Sequence, residues 1–558
     1  MAADPAERSS ASGRSMRRTA SRMLLLLGAC VVVEAARSEA PPPPAPGAEA
    51  RSLGTVHFPT SCKPAAQPHM ERGLALLHHM TYEDAERAFA TASEADPGCG
   101  MAHWGVAMTY IHPLWPDVIP EERLVRGWEL VARARATGEK TDRELAFIEA
   151  IDAYYEEGLE RSESARLASF AQAWRRAYER HPDDVEAAAF YSLAHMATAA
   201  ASDKGYEKQK LDGRIAEQVL DRVPDHPGGH HYVIHAYDSP GLAPRALGVA
   251  RDYGKVAPNV PHALHMPTHI FTRLGLWQES IEWNRRSADA ARLPAGQHHN
   301  LHALDYLAYA YLQGAEDRKA EAVLRDGVRL DPPFHPHPAV PYTLAAVPAR
   351  LALERQRWRE AAAIEPRQPS ALQWDRYPYV EAISQFARAL GSARSGQPAG
   401  ARAAIQRLDE LHARVSAAAT PYDWASQLEI QRLAARAWLA HGEGDEQRAL
   451  ELMREAADRE SATEKSPLTP GEVLPARELL GDLLLELGAH GEALAEYERA
   501  LERSPGRFNS LYGAGRAAAL GGDTGKAEAY YGALVENCAR ADAPRPRLQQ
   551  ARAFLSKD

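Results

Sequence analysis

Cysteine is scarce in this chain. It occurs 4 times in 558 residues, at Cys30, Cys62, Cys99 and Cys538, and no two stand at C-x-x-C spacing. A thiolate zinc site is therefore excluded as an organising feature. Positive charge is not in excess either: the formal net charge is −10. Phosphate binding needs a clustered basic surface, so the balance argues against a nucleic-acid partner. Aromatic residues make up only 7%. Val, Ile and Thr are sparse beside abundant Ala, which favours helix over sheet. No H-E-x-x-H, no phosphate-cradling glycine loop and no nucleophile elbow occurs. No apolar run is long enough for a membrane-spanning helix.

The longest apolar run instead sits behind a basic stretch. Arg14, Arg17, Arg18 and Arg22 precede Met23 to Ala29. Basic then apolar is the layout of an export signal. Leu27-Gly28-Ala29-Cys30 has the form of a bacterial lipobox, which would make Cys30 a lipidated first residue and membrane anchor; ordinary cleavage nearby is the alternative. Residues 1–30 are thus read as a signal peptide. Residues 31–56, with four consecutive prolines at Pro41–Pro44, are read as an extended tether. Such a chain is expected in the periplasm or on a bacterial membrane. In an oxidising compartment Cys62 and Cys99 could pair as a disulfide; two buried thiols are the alternative.

The remainder, 57–558, carries an internal period. Gly488, Ala493 and Tyr497 recur 34 residues later as Gly522, Ala527 and Tyr531, and Pro505 closes the first unit. Ala85, Phe89, Ala92 and Pro97 keep the same spacing near the other end. These units resemble tetratricopeptide (TPR) repeats. In such a hairpin small residues let two helices approach, an aromatic fills the gap and proline ends the second helix. One hairpin cannot bury its apolar face alone, so neighbours stack. The expected fold is all-α: a TPR-like α-α solenoid, with histidine-rich central repeats over 226–305.

Those repeats hold ten of the 23 histidines, from His226 to His302. His231 and His235 lie ten and six residues before Gly241; His265 and His269 lie ten and six before Gly275, one 34-residue period later. Positions i and i+4 share a helix face, so both pairs occupy one face of two stacked repeats. Imidazoles so placed can bind a metal through neutral nitrogens, and zinc or copper suits a nitrogen-rich set. The candidate ligands are His231, His235, His265 and His269, with His299 and His302 as weaker additions, since the register after "LPAGQ" can be counted two ways. His262, Arg273 and Asp305 are further candidates for a ligand-binding groove. Asp238 and Asp305 could act as carboxylate ligands or fix imidazole tautomers. Pro267 is expected to kink or start a helix and so re-aim His262 relative to His269. Without metal, the imidazoles could hold an extended peptide or an anion, or merely satisfy one another in a packed ladder.

The stretches "FPTSC", "ALLHHMTYEDAERAF", "ADPGCGMAHWG", "HYVIHA", "HMPTHIF" and "TPGEVLPARELLGDLLLELG" resemble a family of exported bacterial TPR proteins of unassigned function. The resemblance covers most of the chain after residue 57. It implies a solenoid and an envelope location, and no activity. TPR proteins place such histidine positions on a concave groove. The expected function is an exported scaffold that binds a protein or peptide partner of the envelope through a histidine-lined groove. A zinc- or copper-dependent enzyme is the alternative.

Overall fold

The computed structural model describes residues 53–556 apart from 116–118, 200–202, 204, 292, 294–295, 329–331 and 419–421. The expected signal peptide, Cys30 and most of the tether lie outside the described residues. The chain divides into Met1–Ala45 and Pro46–Asp558, and everything described belongs to the second unit. The tether expected to reach residue 56 ends sooner, because Leu53 is buried and its carbonyl accepts a hydrogen bond from His79 Nε2 (3.0 Å). No helix among the described residues is long and apolar enough to cross a membrane.

The described residues form helices and no strands. Successive helices pair as antiparallel hairpins, beginning with Gln67–His78 against Tyr82–Ala95 and ending near Phe508–Leu520 against Thr524–Asn537. The repeat positions carry this packing. Tyr497 is fully buried, and a Cβ on Gly481 or Gly513 would come within 2.8 or 2.2 Å of its ring. Glycine at both places lets one aromatic side chain wedge between two helices. Phe89, Tyr531 and the alanines around them are buried in the same way. This is a TPR-like α-solenoid.

An ideal solenoid unit touches only its neighbours. Here the last repeats also return to the middle ones. Trp277 Nε1 donates to the Gly506 carbonyl (2.9 Å). Gly275, at φ +69°, packs so tightly on this junction that a Cβ would lie 2.5 Å from the Pro505 oxygen. Arg507, wholly buried, pairs with Glu354 (2.9 Å) and Glu478 (3.1 Å) and donates to Tyr309 Oη (2.8 Å). Two such buried pairs hold sequence-distant repeats in one register.

A strap completes the closure. Residues 462–475 join the helices Glu446–Ser461 and Ala476–Glu486, and they run across the inner side of the central repeats. Tyr306 Oη donates to the Thr469 carbonyl (2.9 Å). Arg350 donates to Thr469 Oγ1 (2.9 Å), to the Gly471 carbonyl (2.9 Å) and to the Glu472 carbonyl (2.8 Å). Lys465 Nζ reaches Asp238 Oδ2 (2.9 Å). The strap is therefore tied to the central repeats at Asp238, Tyr306 and Arg350.

Candidate metal centre

Three short segments carry the central histidines. His226 caps the helix Pro227–Tyr237 by accepting from the Gly229 N–H (3.0 Å), with Pro227 at the first helical position. His231 and His235 then project from one face. Pro267 divides the next repeat into Pro261–His265 and Pro267–Arg273. The break places His262 and His265 before it and His269 after it. His302 comes from the helix Gln297–Gln313.

These side chains gather into two triads. His231, His235 and His262 form one, and His265, His269 and His302 the other; within each, the ligand atoms lie within 4.8 Å of one another. The two i,i+4 pairs therefore do not close into one four-ligand site, as the sequence pattern suggested. Each pair is completed by a different third histidine. The triads share a wall: His235 and His269 have ring centroids 6.0 Å apart, and His262 and His265 6.3 Å. Trp115 packs on both, 5.3 Å from His262 and 5.9 Å from His302.

Tautomers are fixed by acceptors behind the rings. The His78 carbonyl lies 2.6 Å from His231 Nδ1. Asn284 Oδ1 lies 2.9 Å from His265 Nδ1, and the Asn284 amide is oriented by its own donation to the Ser280 carbonyl (2.9 Å). Asp238 Oδ2 lies 2.8 Å from His269 Nδ1. None of these oxygens can donate, so each Nδ1 carries the proton and each Nε2 presents a lone pair. His265 Nε2 and His269 Nε2 consequently face each other at 3.2 Å. In the other triad, His231 Nε2, His235 Nε2 and both ring nitrogens of His262 are buried without a hydrogen-bond partner.

Burial keeps these rings neutral. Desolvation, reinforced by neighbouring imidazoles, holds His231, His262, His265 and His302 well below the usual histidine range and brings His235 down to about 3. Burial lowers His269 too, against the pull of Asp238. Burial alone would raise the Asp238 carboxyl; Lys465 and Arg273, with His269, overcome it and keep it ionised. Asp238 is thus a partner behind the ring and not a ligand. Six neutral, converging imidazoles are the donor set that zinc or copper requires.

The other candidates fall elsewhere. Arg273 Nε is bound to Asp238 Oδ1 (2.8 Å). Asp305 belongs to a fully buried pair with Arg350 (3.1 Å) and is not beside the imidazoles as a ligand. His299 lies 5.7 Å from the His262 ring and leads outward to His298, His335 and His337. The last two sit in the proline-rich "FHPHP" and escaped sequence reasoning, although their spacing was visible. A third cluster, His78, Glu186 and His226, is a different matter. His78 bonds Tyr232 Oη (2.9 Å) and Glu186 (2.7 Å), and His226 bonds Glu186 (3.2 Å) and the Gly229 N–H. Every nitrogen there has a hydrogen-bond partner in the protein. Cys62 and Cys99 are joined in a disulfide. Trp104 is buried, whereas Trp128 is 46% exposed.

No protein-family model and no curated protein matches the chain. Among solved structures it is similar to the human IFIT1 dimer with PPP-AAAA, at 11% identity and a TM-score of 0.35 over 88% of this chain and 94% of that one. A monomeric IFIT1 mutant with m7Gppp-AAAA matches at 11% identity and a TM-score of 0.37, over 88% of this chain and 99% of that one. Likeness at this level transfers neither ligand nor partner. What the site can do has to come from its own geometry.

A cavity adjoins the centre. It has a volume of about 680 Å³ and is lined by His235, Asp238, Arg273, Tyr206, Tyr422 and Lys465, among others. It reaches the first triad at His235 and the second through Asp238, the partner of His269.

Proposed function

We propose that this protein is a metalloprotein whose metal is held by buried imidazoles inside a TPR-like solenoid, and that a small molecule reaches the metal through the cavity at His235. One observation carries this reading: His231 Nε2, His235 Nε2 and both ring nitrogens of His262 are buried side by side with no hydrogen-bond partner. An unpaired buried acceptor costs roughly 1–3 kcal/mol. The first triad gathers several, and a metal would satisfy them together. A structural histidine ladder would look like the His78–Glu186–His226 cluster, where each nitrogen is paired.

The test is elemental analysis of the full chain, purified without a histidine tag or chelator, beside the double variants His231→Ala/His235→Ala and His265→Ala/His269→Ala. The reading expects near-stoichiometric zinc or copper, lost on substitution while the helical circular-dichroism signal persists. Absence of metal after incubation with both ions would end it.

A scaffold role is a second reading, supported by the helical-repeat architecture and by an exposed apolar pair, Val125 and Trp128, on the helix Glu121–Ala136. A protein or peptide partner would dock on such an outer face. An envelope location and a lipid anchor at Cys30 remain compatible proposals, tested by fractionation and by mass analysis of the mature N-terminus.

A further inference from the structure

Two triads sharing one wall invite a question that a single metal site does not: which ions can sit side by side there. The ligands are all neutral. Neither triad contains a carboxylate or a thiolate. Magnesium and calcium need oxygen ligands, and the common non-haem iron site needs a carboxylate beside two histidines. Among the metals that imidazole suits, zinc and copper take sets of three nitrogens.

Charge separates those two. Moving an ion into a low-dielectric interior costs free energy that grows as the square of its charge. Two zinc ions would bring four positive charges into adjacent buried pockets whose six ligands offset none of it. Two Cu(I) ions bring two, and Cu(I) accepts three nitrogen ligands without a fourth. Each triad offers three. The bite also fits: ligands about 2.0 Å from a metal at near-tetrahedral angles stand about 3.3 Å apart, and His265 Nε2 and His269 Nε2 stand at 3.2 Å.

We propose that the two triads hold a pair of copper ions, three imidazoles to each, and that the reduced pair takes up dioxygen arriving through the cavity at His235. This rests on the metal reading of the same six histidines and adds the metal, the number and the ligand. Each Cu(I) gives one electron and becomes Cu(II). Dioxygen would gain both and become peroxide, its O–O single bond intact. No proton moves. The net metal-plus-oxygen charge is +2 before and after, so oxygenation adds no net charge to a buried site. Asp238 stays a positioning residue: it holds the His269 Nδ1 proton and is itself tied to Arg273 and Lys465. Trp115 packs on one histidine of each triad, His262 and His302.

The experiment is an anaerobic Cu(I) titration of the full chain followed by exposure to dioxygen, read by copper stoichiometry, oxygen uptake, absorption and electron paramagnetic resonance. The proposal expects two coppers per chain, one dioxygen per copper pair, a peroxide-to-copper absorption band, and a Cu(II) pair silent in resonance through magnetic coupling. His262→Ala and His302→Ala should each retain one copper and lose the oxygen uptake. Because either variant could misfold, each is checked by circular dichroism, and His262→Gln and His302→Gln serve as second substitutions. One copper per chain, or two that oxidise to independent, resonance-visible ions, would overturn the proposal. Stoichiometric zinc with no copper binding would overturn it while leaving the metal reading intact. Failure to bind any metal would remove both.

Discussion

His265 Nε2 and His269 Nε2 lie 3.2 Å apart, each with its proton drawn to the far side of its ring by Asn284 and Asp238. Two acceptors at hydrogen-bond distance repel unless a cation lies between them. The acceptors behind the rings therefore decide which ring nitrogens face the site.

Removing one of those acceptors should show it. Asn284→Ala frees the His265 tautomer, and loss of such a partner weakens metal binding by about 10–100-fold. Asn284→Asp keeps an acceptor and should restore most of the affinity. Competition with a chromophoric chelator measures both; equal affinities in all three proteins would contradict the assignment.

Asp238 does more than orient His269. It also faces Arg273 and Lys465, both nearly fully buried. Asp238→Ala takes the carboxylate from Lys465 and leaves Arg273 with Glu464 at 3.7 Å, and breaking a buried pair costs about 3–5 kcal/mol. The expected outcome is a lower chemical-denaturation midpoint together with faster proteolytic cleavage within 462–475, the strap that Lys465 anchors. Cleavage that is no faster than in the parent would show that the strap is held by other contacts.

Repeat packing can be tested away from the centre. Tyr497 fills the space between Gly481 and Gly513, and its hydroxyl donates to Asp482 (2.6 Å). Tyr497→Ala should cost about 3–5 kcal/mol, the usual range for a buried aromatic cut to alanine. The metal content of the folded fraction should not change, because the residue is remote from the triads.

Acid stability follows from the buried histidines outside the centre. His79 is buried with Nδ1 on Tyr253 Oη and Nε2 on the Leu53 carbonyl, and burial lowers it from 6.5 to about 3. Between those values the unfolded chain binds a proton that the folded chain does not. Stability therefore falls as pH drops below 6.5, by about 1.4 kcal/mol per pH unit for each such imidazole. His79→Gln should flatten the slope of unfolding free energy against pH by that amount in the metal-free protein. An unchanged slope would place the lost protons elsewhere.

The repeat period and the paired histidines were legible because both are local. A 34-residue spacing and an i,i+4 pattern need no knowledge of distant contacts, and within each pair the two histidines do meet, His231 with His235 and His265 with His269. The partition into triads was not legible. It depends on Pro267 resetting the helix after His265, and on a register for His302 that the loop before it left ambiguous. Asp305 illustrates the same limit: it sits in groove register, yet Arg350 from a later repeat claims it. The strap was the least legible of all. "KSPLTPGEVLP" reads as a long proline-rich connection, and only the fold shows that it lies against Tyr306 and Arg350. That long-range contact joins the strap to the repeats that carry the histidines.

The most direct measurement is X-ray absorption at the metal edge of the full-length protein as isolated. The account predicts a metal bound by three imidazole nitrogens at about 2.0 Å, with the multiple-scattering pattern of histidine rings. A metal ligated mainly by oxygen, or no metal at all, would contradict it.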